Sequence, residues 1–453
     1  MAIVLVVIAV IMVIIATFKY PQISLALFLM ASLIKSFLMF KFGFFRVVDV
    51  TVLCAILLLV AMVYSFVKSG GRLRHIISIP LVVYLLLATI LLLATTYTSA
   101  PNYGLQKSSR FATLGLIAFL APIVFTRSVK DIKQLIWLLF FIGIALSVTM
   151  VISPYEAVLR SGSQMGKAAF LEATTLGTAN LMAVTPIIAF IFAIMAHTSL
   201  PLRIVSLGLI PSLITVMITT GGRGPFAGLM LTFLAVIFIC RKGISKAWFP
   251  AIVSAILIIG AVSFTKLPET VTWRIANMFR GGYEFKEAAY ARTERFVWTA
   301  ARSLERPILG HGTGAFVVDR GGEDVGGDYP HNLILELMYE EGLVGVVIGC
   351  LFLWLIFRRW WQASKFIHLY GLGIGAFQLV HITGLLFLYS LIQAMKSGDI
   401  DGNRLMFFYA GFVVAVFNLL RRTAEEISLE SELTAEGEQD LEGVEFQDIE
   451  ALY

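Results

Sequence analysis

Apolar residues follow one another along this chain in runs of about twenty, separated by short polar connections, and this pattern recurs over almost the whole length. A bilayer core about 30 Å thick takes about 20 apolar residues per helix. In hydrocarbon every backbone group needs a partner within its own segment, so such a run spans as a helix. A membrane barrel would instead alternate apolar and polar positions; this chain does not. Spans are predicted near 2–18, 22–40, 49–67, 78–97, 111–126, 135–153, 178–197, 204–220, 226–240, 248–264, 343–357, 369–392 and 405–420. The first lacks a basic leader and a small-residue cleavage site and is read as a span rather than a signal peptide. Without it the count falls from thirteen to twelve. The sequence thus predicts an all-α polytopic membrane protein in four parts: transmembrane helices in 1–264, a large loop in 265–342, further transmembrane helices in 343–422, and an acidic tail in 423–453.

Composition agrees, with 58% of the 453 residues hydrophobic and 14% charged, against roughly 25% charged in a soluble domain. Orientation follows from loop charge. Lys68, Arg72 and Arg74; Arg127, Lys130 and Lys133; Arg241, Lys242 and Lys246; and Arg358, Arg359 and Lys365 all fall on one side by parity, which the positive-inside rule makes cytoplasmic. The large loop and the turn around Gly221 and Pro225 then face outward, the periplasm of a Gram-negative cell. The chain is expected in a bacterial inner membrane with its C-terminus inside. The tail beyond Arg422 holds eleven acids and no base; without it 35 bases face 18 acids. The body is therefore strongly basic, which suits anionic lipid or an anionic substrate, and the tail reads as a solvated, disordered segment.

Several features add little. Cys54, Cys240 and Cys350 lie in or at the ends of spans and read as packing residues. No internal repeat is evident. Gly371, Gly373 and Gly375 open one late span and read as a site of close helix packing. His381 is an intramembrane ionisable group and so a candidate by default, but a neutral histidine bonded within the bundle is the simpler reading.

The large loop departs from a plain membrane bundle. Residues 290–305 read as a helix with Phe296, Ala300 and Leu304 on one face, ended by Pro307. G-H-G-T-G-A-F follows at 310–316. Alone, its glycines suggest backbone amides cradling phosphate, but a dinucleotide fold needs a preceding strand and a βαβ unit that are missing. Then come Pro330, His331 and Asn332, Leu335 and Glu336, Glu340, and Gly342, Leu343 and Gly345.

In that order, G-x-G-x-G-x-F and P-H-N-x-x-L-E-x-x-x-E-x-G-L-x-G resemble the C-terminal signature of the O-antigen ligase and O-antigen polymerase superfamily. Upstream, T-T-G-G-R-G-P at 219–225 resembles the S/T-G-S-R-G turn of the same family, with Gly222 where many relatives have Ser. The family's R-x-x-x-W spacing is not kept: Trp298 follows Arg295 by three residues and Arg292 by six, and either arginine can take the family's place.

The resemblance implies a GT-C-like transferase, inverting, that moves a glycan from a polyprenyl (undecaprenyl) diphosphate carrier to an acceptor hydroxyl without nucleotide sugar, cofactor or metal. The expected partners are that lipid-linked donor, a lipid A-core or lipid-linked glycan acceptor, and membrane lipids; nucleic acid is not among them. Negative charge grows on the departing diphosphate, and Arg223 with Arg292 or Arg295 would clamp it, since guanidinium is always charged and binds phosphate bidentately. His331 would be the base for the acceptor hydroxyl, supported by Asn332 or Glu336 and by the glycine turn with Gly312 and Gly314. Asp399, Ile400 and Asp401 form a D-x-D, a pattern that holds divalent ions in metal-dependent glycosyltransferases, and Glu323, Asp324 and Asp328 add carboxylates. Both groups sit among glycines, where Asp favours turns, and are read as turns. Two alternatives stay open: a transporter or flippase of lipid-linked sugar, which would need the basic cavity but no base, and a transferase acting on protein.

Overall fold

The computed structural model describes residues 15–32, 34–35, 38, 49–70, 76–152, 175–195, 198–219, 223–241, 244, 283–326, 328–370, 372–396 and 399–450. The predicted span near 248–264 and most of that near 2–18 lie outside these residues. The chain forms α1 (Gln22–Leu29), α2 (Val50–Lys68), α3 (Ile79–Ala94), α4 (Pro101–Arg110), α5 (Leu116–Phe125) and α6 (Val129–Ile152). Next come α7 (Thr175–Met182), α8 (Val184–Ile194), α9 (Leu200–Thr219) and α10 (Arg223–Ile239). The large loop holds α11 (Tyr283–Ser303), α12 (Ala315–Asp319) and α13 (Leu333–Glu340); α14 (Gly342–Leu369), α15 (Gly373–Ala394) and α16 (Arg404–Glu450) follow. Among the described residues six helical stretches are long and apolar enough to cross a membrane, and four shorter apolar ones accompany them. The protein is an all-α polytopic membrane protein.

The span predicted from residue 111 starts ten residues earlier. Pro101 opens α4, its fixed φ suiting the first helical position. Asp324 of the large loop caps that helix, its carboxylate accepting from the Asn102 and Tyr103 amides at 3.0 and 2.8 Å. α4 passes into α5 through a π-helical turn, Phe111–Gly115. There the Tyr84 hydroxyl donates to the Phe111 carbonyl at 2.7 Å, satisfying a group that the widened turn takes out of the regular ladder. The Tyr84 ring stacks on Phe111 and meets Phe407 edge-on, fastening α3, the π turn and α16 together. Its early start carries the polar half of α4, with Lys107, into the protein interior.

Three readings from the sequence are corrected, those of Gly375, of Cys350 and of the acidic tail. Gly375 has open space where a Cβ would sit, so it serves no close packing; close approach occurs instead at Gly411, against the Phe119 backbone. Cys54 and Cys240 are buried, but Cys350 is exposed on α14. On α11 the stripe of Ala300 and Leu304 faces outward, with Phe296 half-buried, and Thr299 and Ser303 turn inward. Apolar spacing marks a face of a helix but not what that face meets, because lipid and core are equally apolar. The acidic tail, for which the sequence predicts no fixed structure, continues α16 as helix to Glu450, in keeping with its content of Glu, Ala and Leu.

Candidate functional site

The G-x-G-x-G turn is a structural joint. Gly310, Gly312 and Gly314 all have positive φ, which only glycine adopts freely. The His311 and Gly312 amides donate to the Tyr339 and Glu340 carbonyls, each at 2.8 Å. They thereby satisfy carbonyls that the end of α13 leaves unpaired, and these two amides are not free to cradle a phosphate. A Cβ on Gly312 would lie 2.6 Å from the Thr98 Cα, and one on Gly314 3.0 Å from Gly104. The turn is thus wedged between the start of α4 and the end of α13. Gly312→Ala carries both a strained backbone and this clash, whereas Gly321→Ala, at φ +85 with nothing near its Cβ position, carries the backbone term alone. That term is about 1–3 kcal/mol. Thermal unfolding of the purified protein is expected to show the larger loss for Gly312→Ala, the difference measuring the close approach.

Beneath the turn lies a buried charge cluster. Lys107 is fully buried, its Nζ 2.5 Å from Glu336 and within 2.8 Å of both Glu340 oxygens. Glu336 and Glu340 are the two glutamates of the E-x-x-x-E motif, one helical turn apart on α13 and so on one face. Glu336 also accepts from the Ile400 amide at 3.0 Å. Burial pushes the Glu336 carboxyl up to about 8, against the pull of Lys107. Burial, then Glu340, raises Glu341 well above the ordinary carboxylate range. Geometry agrees for Glu341: the Thr313 hydroxyl lies 2.8 Å from both the Leu91 carbonyl and the Glu341 carboxyl. That hydroxyl has one proton to donate, so a protonated Glu341 completes both bonds.

The D-x-D pair lies next to this cluster. Tyr103 donates its hydroxyl proton to Asp399 at 3.0 Å, the Gly402 amide donates to the same residue at 3.1 Å, and Asp401 hydrogen-bonds to it. Burial and then Asp399 push Asp401 up to about 7. Asp399 thus closes a turn and is occupied by protein donors. Asp328 takes Arg295 at 3.1 Å and Arg320 at 3.6 Å, and Asp324 is the helix cap. Among the described residues no group of three metal-ligating side chains is assembled.

His331 precedes α13 and has φ 58, a left-handed conformation that few non-glycine residues adopt. Both of its sequence neighbours are constrained. Pro330 fixes its own φ, and Asn332 is the cap of α13, its side chain accepting from the Ile334 and Leu335 amides at 3.0 Å each. Asn332 also donates to the Met395 carbonyl at 3.2 Å. Neither Asn332 nor Glu336 hydrogen-bonds to His331: one caps and ties down the 395 connection, the other holds Lys107 and Ile400. The half-buried imidazole tilts against Tyr329 at 4.1 Å, and its Nδ1 has no hydrogen-bond partner among the described residues. Burial, then the charges of Arg295 and Arg292, pull the ring down to about 4, so it is neutral at ordinary pH.

The two arginines lie three apart on α11, on one side of the helix. Arg295 is paired with Asp328. Arg292 is exposed and makes no ion pair among the described residues. A third cation, missed in the sequence, joins them: Lys396, just past α15, donates to the Gly224 carbonyl at 3.4 Å. Burial and then Arg292 lower its pKa. The start of α10, α11, the His331 segment and the connection after α15 therefore converge. Arg223 begins α10 beside Gly224; its side chain lies outside the described positions. The signal for Lys396 was its place on a short connection otherwise poor in cations. Trp298 stands slightly apart, packed on Phe316 and Tyr339 with the Arg320 guanidinium 5.3 Å over its ring.

Residues 207–349 match the family model for O-antigen ligase. This segment is similar to the O-antigen ligase family and covers about a third of the chain. The ligase segment carries Arg223, Arg292, Arg295 and His331, while Lys107 and Lys396 lie outside it. No curated protein matches the chain.

Proposed function

We propose that this protein is a membrane glycosyltransferase that moves a glycan from a polyprenyl diphosphate carrier to an acceptor hydroxyl on the outward, periplasmic face of a bacterial inner membrane. The observation that supports it best is the convergence on one spot of a neutral histidine, its Nδ1 without a partner among the described residues, and cations from two separate segments, α11 and the connection after α15. In the reaction His331 takes the proton of the acceptor hydroxyl as its oxygen bonds to C1 of the sugar. The bond from C1 to the diphosphate oxygen breaks on the opposite face, inverting that carbon. The electron pair leaves with the diphosphate, where Arg292, Arg295, Arg223 and Lys396 meet the growing charge; donors aimed there raise the rate and not only the affinity.

The same cations give the base a substrate-dependent strength. With the site empty, His331 is held near 4 and is a weak base. A bound diphosphate neutralises the arginines, removing the second and third causes of that depression, and lifts the imidazole toward its ordinary value near 6.5. Protonation of the ring abolishes the base, so activity is lost as pH falls through its pKa. The profile of kcat/KM, which reports the free enzyme, is expected to stay flat down to about pH 5. The acid limb of kcat, which reports the bound complex, should lie at clearly higher pH. Steady-state transfer by the purified protein across pH, with a lipid-diphosphate glycan as donor, tests this. Coincident limbs would remove the coupling, and no glycan transfer to any hydroxyl acceptor offered would remove the function.

A further inference from the structure

The turn after α11 carries apolar side chains that face away from the protein. Leu304 is 74% exposed, Ile308 65% and Leu309 59%. Backbone bonds fasten this turn to the top of a span. The Leu343 amide donates to the Pro307 carbonyl at 2.8 Å and the Val344 amide to the Ile308 carbonyl at 3.3 Å, occupying two of the free amides at the start of α14. Gly342 has φ 66 and packs directly against the Ile308 carbonyl, an approach open only to glycine. On the other side, the Tyr97 hydroxyl donates to the Leu309 carbonyl at 2.7 Å.

Depth along α14 decides what surrounds these side chains. Arg358 and Arg359, followed by exposed Trp361, are the kind of residues that sit at a membrane–water boundary. From there back to Gly342 is about 24 Å of helix, less than the roughly 30 Å of a hydrocarbon core. The first turn of α14, with Leu343 and Val347 exposed, therefore lies at lipid depth. The attached turn shares that depth, and its outward side chains continue the lipid-facing surface of α14 and of Leu92 and Leu93 at the end of α3. Tyr97 and exposed Arg306 flank the same edge; both are long amphipathic side chains that reach from apolar surroundings to headgroups.

We propose that segment 304–309 is a membrane-inserted anchor: it dips into the leaflet on the site's side and ties the large loop to the bilayer surface. This assignment does not depend on the reaction proposed above. It also gives the outward stripe on α11 a continuous neighbour, since Val297 and Leu304 run toward the same turn.

The test places a polarity-sensitive dye on the turn. In a Cys350→Ala background, with buried Cys54 and Cys240 retained, Ile308→Cys, Leu309→Cys and, as a polar-loop reference, Val325→Cys are labelled with a nitrobenzoxadiazole dye. Each is then reconstituted into phosphatidylcholine–phosphatidylglycerol vesicles. Blue-shifted emission that is quenched by lipid carrying a spin label near its headgroup is expected at 308 and 309, with water-like, unquenched emission at 325. Emission at 308 and 309 matching that at 325 overturns the anchor. Two independent positions guard against one variant failing to fold.

Discussion

Replacing His331 with alanine is expected to lower kcat for glycan transfer by about 10²- to 10⁴-fold, the usual contribution of a positioned general base, while donor binding changes little. The reason is geometric. The imidazole Nδ1 has no hydrogen-bond partner among the described residues, and the cap of α13 belongs to Asn332, so the ring meets Tyr329 but does not hold the helix end. Its backbone lies in the left-handed region, where alanine is strained about as much as histidine or more. His331→Asn, which tolerates that conformation better, separates loss of the base from loss of the turn. If both variants retain near wild-type kcat with unchanged thermal stability, the assignment of the base is wrong.

The second large effect falls on stability. Lys107→Met leaves Glu336 and Glu340 buried without a counter-charge, a change that typically costs about 3–5 kcal/mol. Thermal unfolding in detergent is expected to show this as a marked drop in Tm. The loss has a pH signature. Glu336 is held up near 8 even beside the lysine, above the ordinary 4.5 of the unfolded chain. A carboxyl raised on folding stabilises fully below its unfolded value and loses that contribution as pH rises through its folded one. Removing Lys107 raises the folded value further, so the variant's deficit should be largest above pH 8 and smaller near pH 5. Adding Glu340→Gln to the variant should restore part of the stability, because the two sites are in contact and do not act additively. A deficit independent of pH would mean that Lys107 contributes packing rather than charge.

Much of this architecture is legible in the sequence, for a physical reason. Length and hydropathy identify spans because the bilayer imposes one thickness and leaves one backbone solution. His331 and the arginines are candidates in the sequence because the proposed chemistry asks for those residue types within short motifs. What escaped notice depends on contacts distant in sequence. Lys107 precedes its partners by more than two hundred positions, and a lysine in a polar stretch gives no sign that it will be enclosed. Glu336 reads as support for His331, yet it serves Lys107, together with Glu340. The glycine turn suggested a ligand cradle or a loose loop, and it is instead a joint whose amides are consumed by the end of α13. The stripe on α11 was visible as a stripe, but only the turn fastened to α14 gives it a lipid environment. Lys396 stands outside the matched ligase segment and came to the site only through the fold.

The central claim, that a glycosidic bond to a lipid diphosphate is broken and remade, is tested most directly with purified protein in proteoliposomes given a polyprenyl-diphosphate-linked glycan labelled in its sugar. Lipid A-core, a second lipid-linked glycan and a protein acceptor are offered in turn. The expected result is label covalently attached to one of these acceptors, with one equivalent of glycan-free polyprenyl diphosphate released per transfer. Movement of intact lipid-linked glycan across the bilayer, with no free polyprenyl diphosphate formed under any acceptor condition, would contradict it and make the protein a transporter.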